Sequence, residues 1–151
     1  MSRRSLIMVA ALGSAALLLG AWGFQALGYA PCKMCLWQRW PHAAAFVIGM
    51  LALFTLWRPL LLLGAMAALT TGAIGIYHTG VEKKWWQGPD TCTSGDISNL
   101  STDQLMDQIL GAPLVQCDVV AWQFATLSMA SWNAVLSFVL VGIWLAAWLA
   151  R

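Results

Sequence analysis

Four cysteines are the residues of this 151-residue chain best suited to chemistry. Cys32 and Cys35 form a Cys-Lys-Met-Cys run. A two-residue spacer permits a small, accessible disulfide ring. Lys33, between the two, favours the thiolate, the form that attacks and leaves in exchange. If a helix already runs through this stretch, Cys35, Arg39 and His42 fall at i, i+4 and i+7 on one face. A thiol, a fixed cation and an imidazole would then stand together. Cys92 and Cys117 are separated by 24 residues in a polar loop and can close a second bridge, worth roughly 3 kcal/mol of chain restraint.

Several chemistries suit such a set. Both pairs can be inert structural bridges. Four thiols can bind zinc, although zinc ribbons usually show two Cys-x-x-Cys knuckles and the second pair is not one. The Cys-x-x-Cys can also be a chance spacing beside a packing role. The reading favoured here is a pair of redox couples. A close pair at a membrane face can reach a lipid-soluble carrier, and a loop pair can reach a soluble protein. Together they can pass two electrons between the two phases.

The elements that must position these thiols are membrane spans. The chain is 60% apolar and only 9% charged, with a net charge of +2. A soluble domain is about 25% charged, so this composition argues against a cytosolic globular protein or a disordered chain. With no basic run to track a phosphate backbone, no nucleic-acid partner is expected. Leu6 to Leu27, Pro59 to Tyr77 and Met129 to Ala150 are free of charged residues and of histidine, and each can cross a hydrocarbon core about 30 Å thick. Ala43 to Trp57 is shorter. It is read as a span beginning near Arg39 or Pro41, because Arg58 and Pro59 leave only a tight turn before the next helix. The first apolar run is longer than the about 7–15 residues of a signal peptide and is expected to remain as a span.

The expected fold is therefore all-α: one polytopic membrane domain over 1–151, a four-transmembrane-helix bundle with two loops on one side. The spans fall near 6–27, 41–57, 59–77 and 129–150, and the loops at 28–40 and 78–128. All four cysteines then share one side, whichever way the chain is inserted. Trp37, Trp40, Trp57, Trp85, Trp86, Trp132 and Trp148 sit near span ends, where indoles favour the headgroup zone. The basic residues tie at four on each side. Arg3 and Arg4 beside the first span decide for cytoplasmic termini. In the long loop, Ser101 with Gln104 forms a capping pattern. Leu105, Met106, Ile109 and Leu110 follow at helical spacing until Gly111 and Pro113, predicting a short amphipathic helix. Nothing in the sequence demands an oligomer, and a monomer is expected.

The run Cys32-Lys-Met-Cys35-Leu-Trp-Gln-Arg39-Trp-Pro-His42 resembles the first periplasmic loop of the disulfide bond formation protein B (DsbB) family. The exit of the third span, Tyr77-His78-Thr79-Gly80-Val81-Glu82, and the Cys92/Cys117 loop resemble its second. Cys-x-x-Cys alone is a weak signal. Followed four residues later by Arg, within this topology and beside a second loop pair, it is strong.

The resemblance implies a bacterial inner-membrane enzyme that reoxidises a thioredoxin-fold partner, DsbA, and reduces a quinone, either ubiquinone or menaquinone. This is the relay that keeps the periplasm oxidising. It implies that Cys92 receives the partner's thiolate, that Cys117 exchanges with Cys32, and that Cys35 faces the quinone. It further implies that Arg39 contacts the quinone and that His78 lies near the same pocket. Glu82 stands where some members carry an uncharged amide and is given no role. The sister DsbI branch shares these motifs and serves other partners. The competing functions are a membrane scaffold with structural disulfides and a zinc-binding membrane module; no bound metal is expected.

Overall fold

The structure is a computed structural model, and it describes residues 1–89, 101, 103, 106, 110 and 115–150. Four long helices dominate these residues: α1 (Arg3–Ala26), α2 (Lys33–Thr55), α3 (Arg58–Glu82) and α4 (Met129–Leu149). Each is explained by its ends. Ser2 caps α1 through an Oγ that accepts the Ser5 N–H at 3.2 Å, and Ser128 caps α4 by accepting from Ser131 at 3.2 Å. Leu56, at φ 51°, ends α2 in the left-handed region, and Pro59 opens α3 in its first turn. The link from α2 to α3 is therefore Leu56–Trp57 alone, and the two helices form an antiparallel hairpin.

The second helix starts earlier than its charge-free run. It begins at Lys33, with Cys32 as its N-cap, and carries Pro41 in its interior. The Cys32 sulfur accepts the Cys35 N–H at 3.2 Å, so a thiol does the work usually done by Ser or Asp. Likewise α3 continues past Tyr77 to Glu82, and its last turn carries His78 and Glu82 at i and i+4.

The helices pack in a ring, each against the next and α4 back against α1. The Arg3 Nε donates to the Ala150 carbonyl at 3.1 Å, so both termini lie at one end. The start of α2 and the end of α3 lie at the other. The core at the terminal end is built on Trp144, fully buried against small residues. A Cβ at Gly64 would come within 2.7 Å of the Trp144 ring, so only glycine lets α3 and α4 close here. Polar side chains face inward (Ser14, Thr71 and Ser137 are buried), while Leu12, Leu19, Val47, Phe54, Met66 and Val139 face out. That is the reverse of a soluble protein and suits a lipid surround.

Among the described residues three helices, α1, α3 and α4, are long and apolar enough to cross a membrane. The short α2–α3 link and the ring packing agree with an all-α membrane protein. A departure from helix is a two-residue antiparallel hairpin, β1 (Gln123–Phe124) and β2 (Leu127–Ser128). Ala125 and Thr126 turn it with φ of 48° and 66°, the doubly left-handed turn that matches strand twist. Of the expected loop helix, Asp103, Met106 and Leu110 are helical; the rest of that segment, and Cys92, lie outside the described residues.

Candidate thiol site and cavity

The N-terminus of α2, the C-terminus of α3 and the segment 115–119 converge on the thiols. Cys32, Met34, Val81 and Cys117 form one buried cluster, with Cys35 and Val115 packed on its edge. Three of the four expected catalytic cysteines are thus brought together, all as free thiols. Cys117 is fully buried in the same cluster as Cys32, close enough for its charge to act on the Cys32 thiol.

The two sulfurs of the Cys-x-x-Cys are not equivalent. The Cys32 S–H donates to Cys35 Sγ at 2.9 Å. That bond holds Cys35 below the ordinary thiol range, helped by the Cys32 backbone contact and the Arg39 charge; burial and Glu82 oppose it. The same bond, with burial, pushes Cys32 far up. Of the pair, Cys35 is the more readily ionised and Cys32 the hydrogen-bond donor.

His78 is 3% exposed and sits behind them. Gln38 Nε2 donates to its Nδ1 at 3.0 Å and also to the Met34 carbonyl at 3.2 Å. His78 therefore carries its proton on Nε2, which donates to the Cys117 carbonyl at 3.2 Å and stands 3.6 Å from Cys32 Sγ. Glu82 Oε1 lies 3.9 Å from the same nitrogen, and its carboxylate accepts from the Ser128 hydroxyl. Sequence reasoning gave no role to Gln38 or Glu82. The signal for Gln38 was a polar residue in the α2 face between Cys35 and His42; for Glu82 it was the i+4 spacing from His78.

The donor atoms of Cys32, Cys35 and His78 lie within 4.8 Å of one another, close enough to share a metal ion. The His78 tautomer argues otherwise, since the nitrogen facing the sulfurs bears the proton.

Beside the thiols opens a cavity of about 470 Å³, within the range of small-molecule sites. Cys32, Cys35, His78 and Glu82 line one part of it, and Leu17, Phe24, Trp132 and Leu136 supply apolar wall. The segment after Cys117 closes over it, with Trp122 and Phe24 in ring contact at 4.9 Å. Arg39 is on this wall. Its Nη1 donates to Gln25 Oε1 at 2.8 Å and its Nη2 to the Ala21 carbonyl at 3.3 Å. The guanidinium is thus anchored to α1, and its buried Nε has no partner among the described residues. His42, on the Cys35 face as the spacing predicts, also lines the cavity and bonds Asn133.

The family model of disulfide bond formation protein DsbB matches residues 3–147. The chain belongs to the DsbB family. Membership in the DsbB family makes it a membrane oxidoreductase of disulfide-bond formation. It is also 26% identical over 117 residues to an uncharacterised protein of Rickettsia prowazekii (strain Madrid E), covering 75% of this chain and 68% of that one. No solved structure matches it.

Proposed function

We propose that this protein oxidises the dithiol of a DsbA-like thioredoxin-fold protein and passes the electrons to a membrane quinone, ubiquinone or menaquinone. It does so as a monomer in the bacterial inner membrane, with termini in the cytoplasm and thiols at the periplasmic face. In this reading α2 crosses the bilayer as the fourth span over its part after Pro41. Its outward residues there, Val47, Leu51 and Phe54, are exposed and apolar, as a lipid-facing helix requires. The thiols lie at the bundle end opposite the Arg3–Ala150 contact, in keeping with cytoplasmic Arg3 and Arg4.

The observation that carries the proposal is the Cys32 S–H to Cys35 Sγ bond on the wall of an apolar cavity. A partner thiolate attacks the Cys92–Cys117 disulfide at Cys92 and releases the Cys117 thiolate. Cys117 attacks Cys32, the sulfur beside which it is buried, and Cys35 leaves. A leaving thiol with a lowered pKa departs faster, and the Arg39 charge that lowers Cys35 remains when Cys32 has lost its proton to become a mixed disulfide, which favours attack at Cys32. The partner's second thiol displaces Cys92 and completes its own disulfide. Cys92 then attacks the Cys32–Cys117 mixed disulfide at Cys117. This restores the loop disulfide, releases Cys32 and leaves the Cys32–Cys35 dithiol to deliver the two electrons.

A bound quinone supplies a two-electron, two-proton acceptor. The residues present fit such a group. The cavity is apolar, Cys35 lines it, and Arg39 and His42 are among its few polar lining residues. The test is Cys35→Ser. The variant is expected to lose quinone reduction while Cys92 still traps a reduced partner as a mixed disulfide. Normal turnover in that variant would overturn the assignment. A scaffold with structural disulfides predicts instead that every thiol stays oxidised when reduced partner is added.

A further inference from the structure

We infer that Lys84 and Asp118 form an ionic latch that holds the Cys117 thiol beside Cys32, which makes them positioning residues for the exchange between the two cysteine pairs. The latch rests on the relay proposed above and sets the direction of its second step. Once a partner has taken Cys92, the Cys117 thiolate has two targets. It can return to Cys92 and expel the partner, or it can attack Cys32. In the second case the Cys117–Cys32 bond forms, the Cys32–Cys35 bond breaks, and Cys35 leaves as the thiolate. Both are exchanges of one thiolate for another, so where the Cys117 sulfur is held bears directly on which occurs.

The latch is built on the end of α3. The Trp85 N–H donates to the Gly80 carbonyl at 2.9 Å and the Lys84 N–H to the Val81 carbonyl at 3.1 Å, the paired bonds that close a helix. Lys84 therefore stands where the chain turns out of the helix, with φ 58°. Glycine takes that backbone without steric cost and is the usual residue there. A long side chain at this place needs a compensating contact, and it has one: Lys84 Nζ donates to Asp118 Oδ2. The turn that presents Lys84 is itself fixed. Trp86 folds back on α3, with its Nε1 donating to the Tyr77 carbonyl at 2.9 Å and its ring stacked on Tyr77 at 6.0 Å. That ring lies so close over Gly80 that a Cβ there would come within 2.0 Å of it.

Asp118 directly follows Cys117. Its side chain is 15% exposed, and its Oδ1 is buried without a partner among the described residues. The carboxylate is thus largely withdrawn from water, and removing Lys84 leaves it without its countercharge. The preceding residue is held by the same helix. The Cys117 carbonyl accepts from His78 Nε2 at 3.2 Å, and the Cys117 side chain is buried with Val81 and Cys32. Two consecutive residues are pinned to the end of α3, one through its backbone and one through its charge. Lys84 is the hold that can be removed without cutting into the buried cluster.

The experiment uses the full chain in detergent with Cys35→Ser and Cys92→Ser, which leaves Cys32 and Cys117 as its cysteines. Equilibration in glutathione buffers gives the ratio of bridged to open protein, and so the effective concentration of one sulfur at the other. Lys84→Gln is expected to lower that value roughly fivefold, the upper end for an ion pair with one exposed member. In an Asp118→Asn background the same substitution should have no further effect, as a shared interaction requires. Lys84→Arg should keep most of the value. Lys84→Gly separates position from fold: it relieves the left-handed backbone and should unfold at a higher temperature than Lys84→Gln, yet show the same fall in effective concentration. An unchanged value in Lys84→Gln, a full loss that persists beside Asp118→Asn, or losses that follow thermal stability across the variants would overturn the latch and leave the relay standing. Absence of any Cys32–Cys117 bridge in the chain that keeps Lys84 would overturn latch and relay together.

Discussion

The side-chain amide of Gln38 donates a hydrogen bond to His78 Nδ1 at 3.0 Å. This one contact between α2 and α3 decides which nitrogen of His78 is protonated. It thereby aims an N–H at the Cys117 carbonyl and past Cys32 Sγ. The geometry ties the strand of chain carrying Cys117 to the sulfur it is proposed to attack. Gln38→Leu should free the ring, slow exchange between Cys117 and Cys32 roughly tenfold and lower stability by about 1 kcal/mol. Timed alkylation of the cysteines, read by mass, would check it. Exchange at the normal rate would make Gln38 a packing residue only.

The sulfur asymmetry has a pH signature. Cys35 is held below the ordinary thiol range first by the Cys32 S–H. In the reduced protein its alkylation should therefore persist as pH falls below about 8.5, where an ordinary cysteine loses its thiolate. Cys32, pushed up, should stay unreactive across the same window. Cys32→Ala removes the donor and should move the Cys35 profile upward, whereas Cys32→Ser keeps a hydroxyl donor and should move it less. Identical profiles for the two variants would show that the hydrogen bond is not the cause.

Arg39 spends both terminal nitrogens on α1 and lines the cavity beside Cys35. Arg39→Ala is expected to raise the quinone KM roughly tenfold with a smaller change in kcat, the pattern of lost binding. Arg39→Lys should not restore it, because lysine has no counterpart of the forked guanidinium that bonds Gln25 and Ala21 together. Unchanged quinone kinetics in both would reduce Arg39 to a clamp between helices.

Purified protein should carry no stoichiometric zinc. The three donor atoms of Cys32, Cys35 and His78 are close enough, but the His78 nitrogen among them bears a proton fixed by Gln38. Metal analysis of the reduced protein checks this, and one zinc per chain would favour the metal-binding reading.

The bundle should be most sensitive where Trp144 meets Gly64. Gly64→Val puts side-chain atoms where the indole already lies, 2.7 Å from the position of a new Cβ. Overpacking of this kind costs about 1–3 kcal/mol. Thermal unfolding in detergent should show the loss, and Trp144→Leu in the same chain should return part of it by opening space. A Gly64→Val protein as stable as the original would mean that the helices slide apart freely here.

The sequence by itself determined where polar and apolar chain alternate, and hence the helices, the shared end of Cys32, Cys35 and Cys117, and the membrane setting. Those follow from composition and from spacing along one chain. It also put Cys35, Arg39 and His42 on one face, because the helical period is local. Tertiary structure alone decided the rest. Cys32 as an N-cap, and so the earlier start of α2, depends on a sulfur accepting a backbone N–H three residues on. The tautomers of His78 and His42 depend on Gln38 and Asn133, 40 and 91 residues away in the chain. Glu82 looked like a loop charge and proved to be the last turn of α3, bonded to Ser128 across the bundle. Proton positions and cavity walls are set by atoms that meet only when four helices close on one another, and no spacing rule along the sequence carries that information.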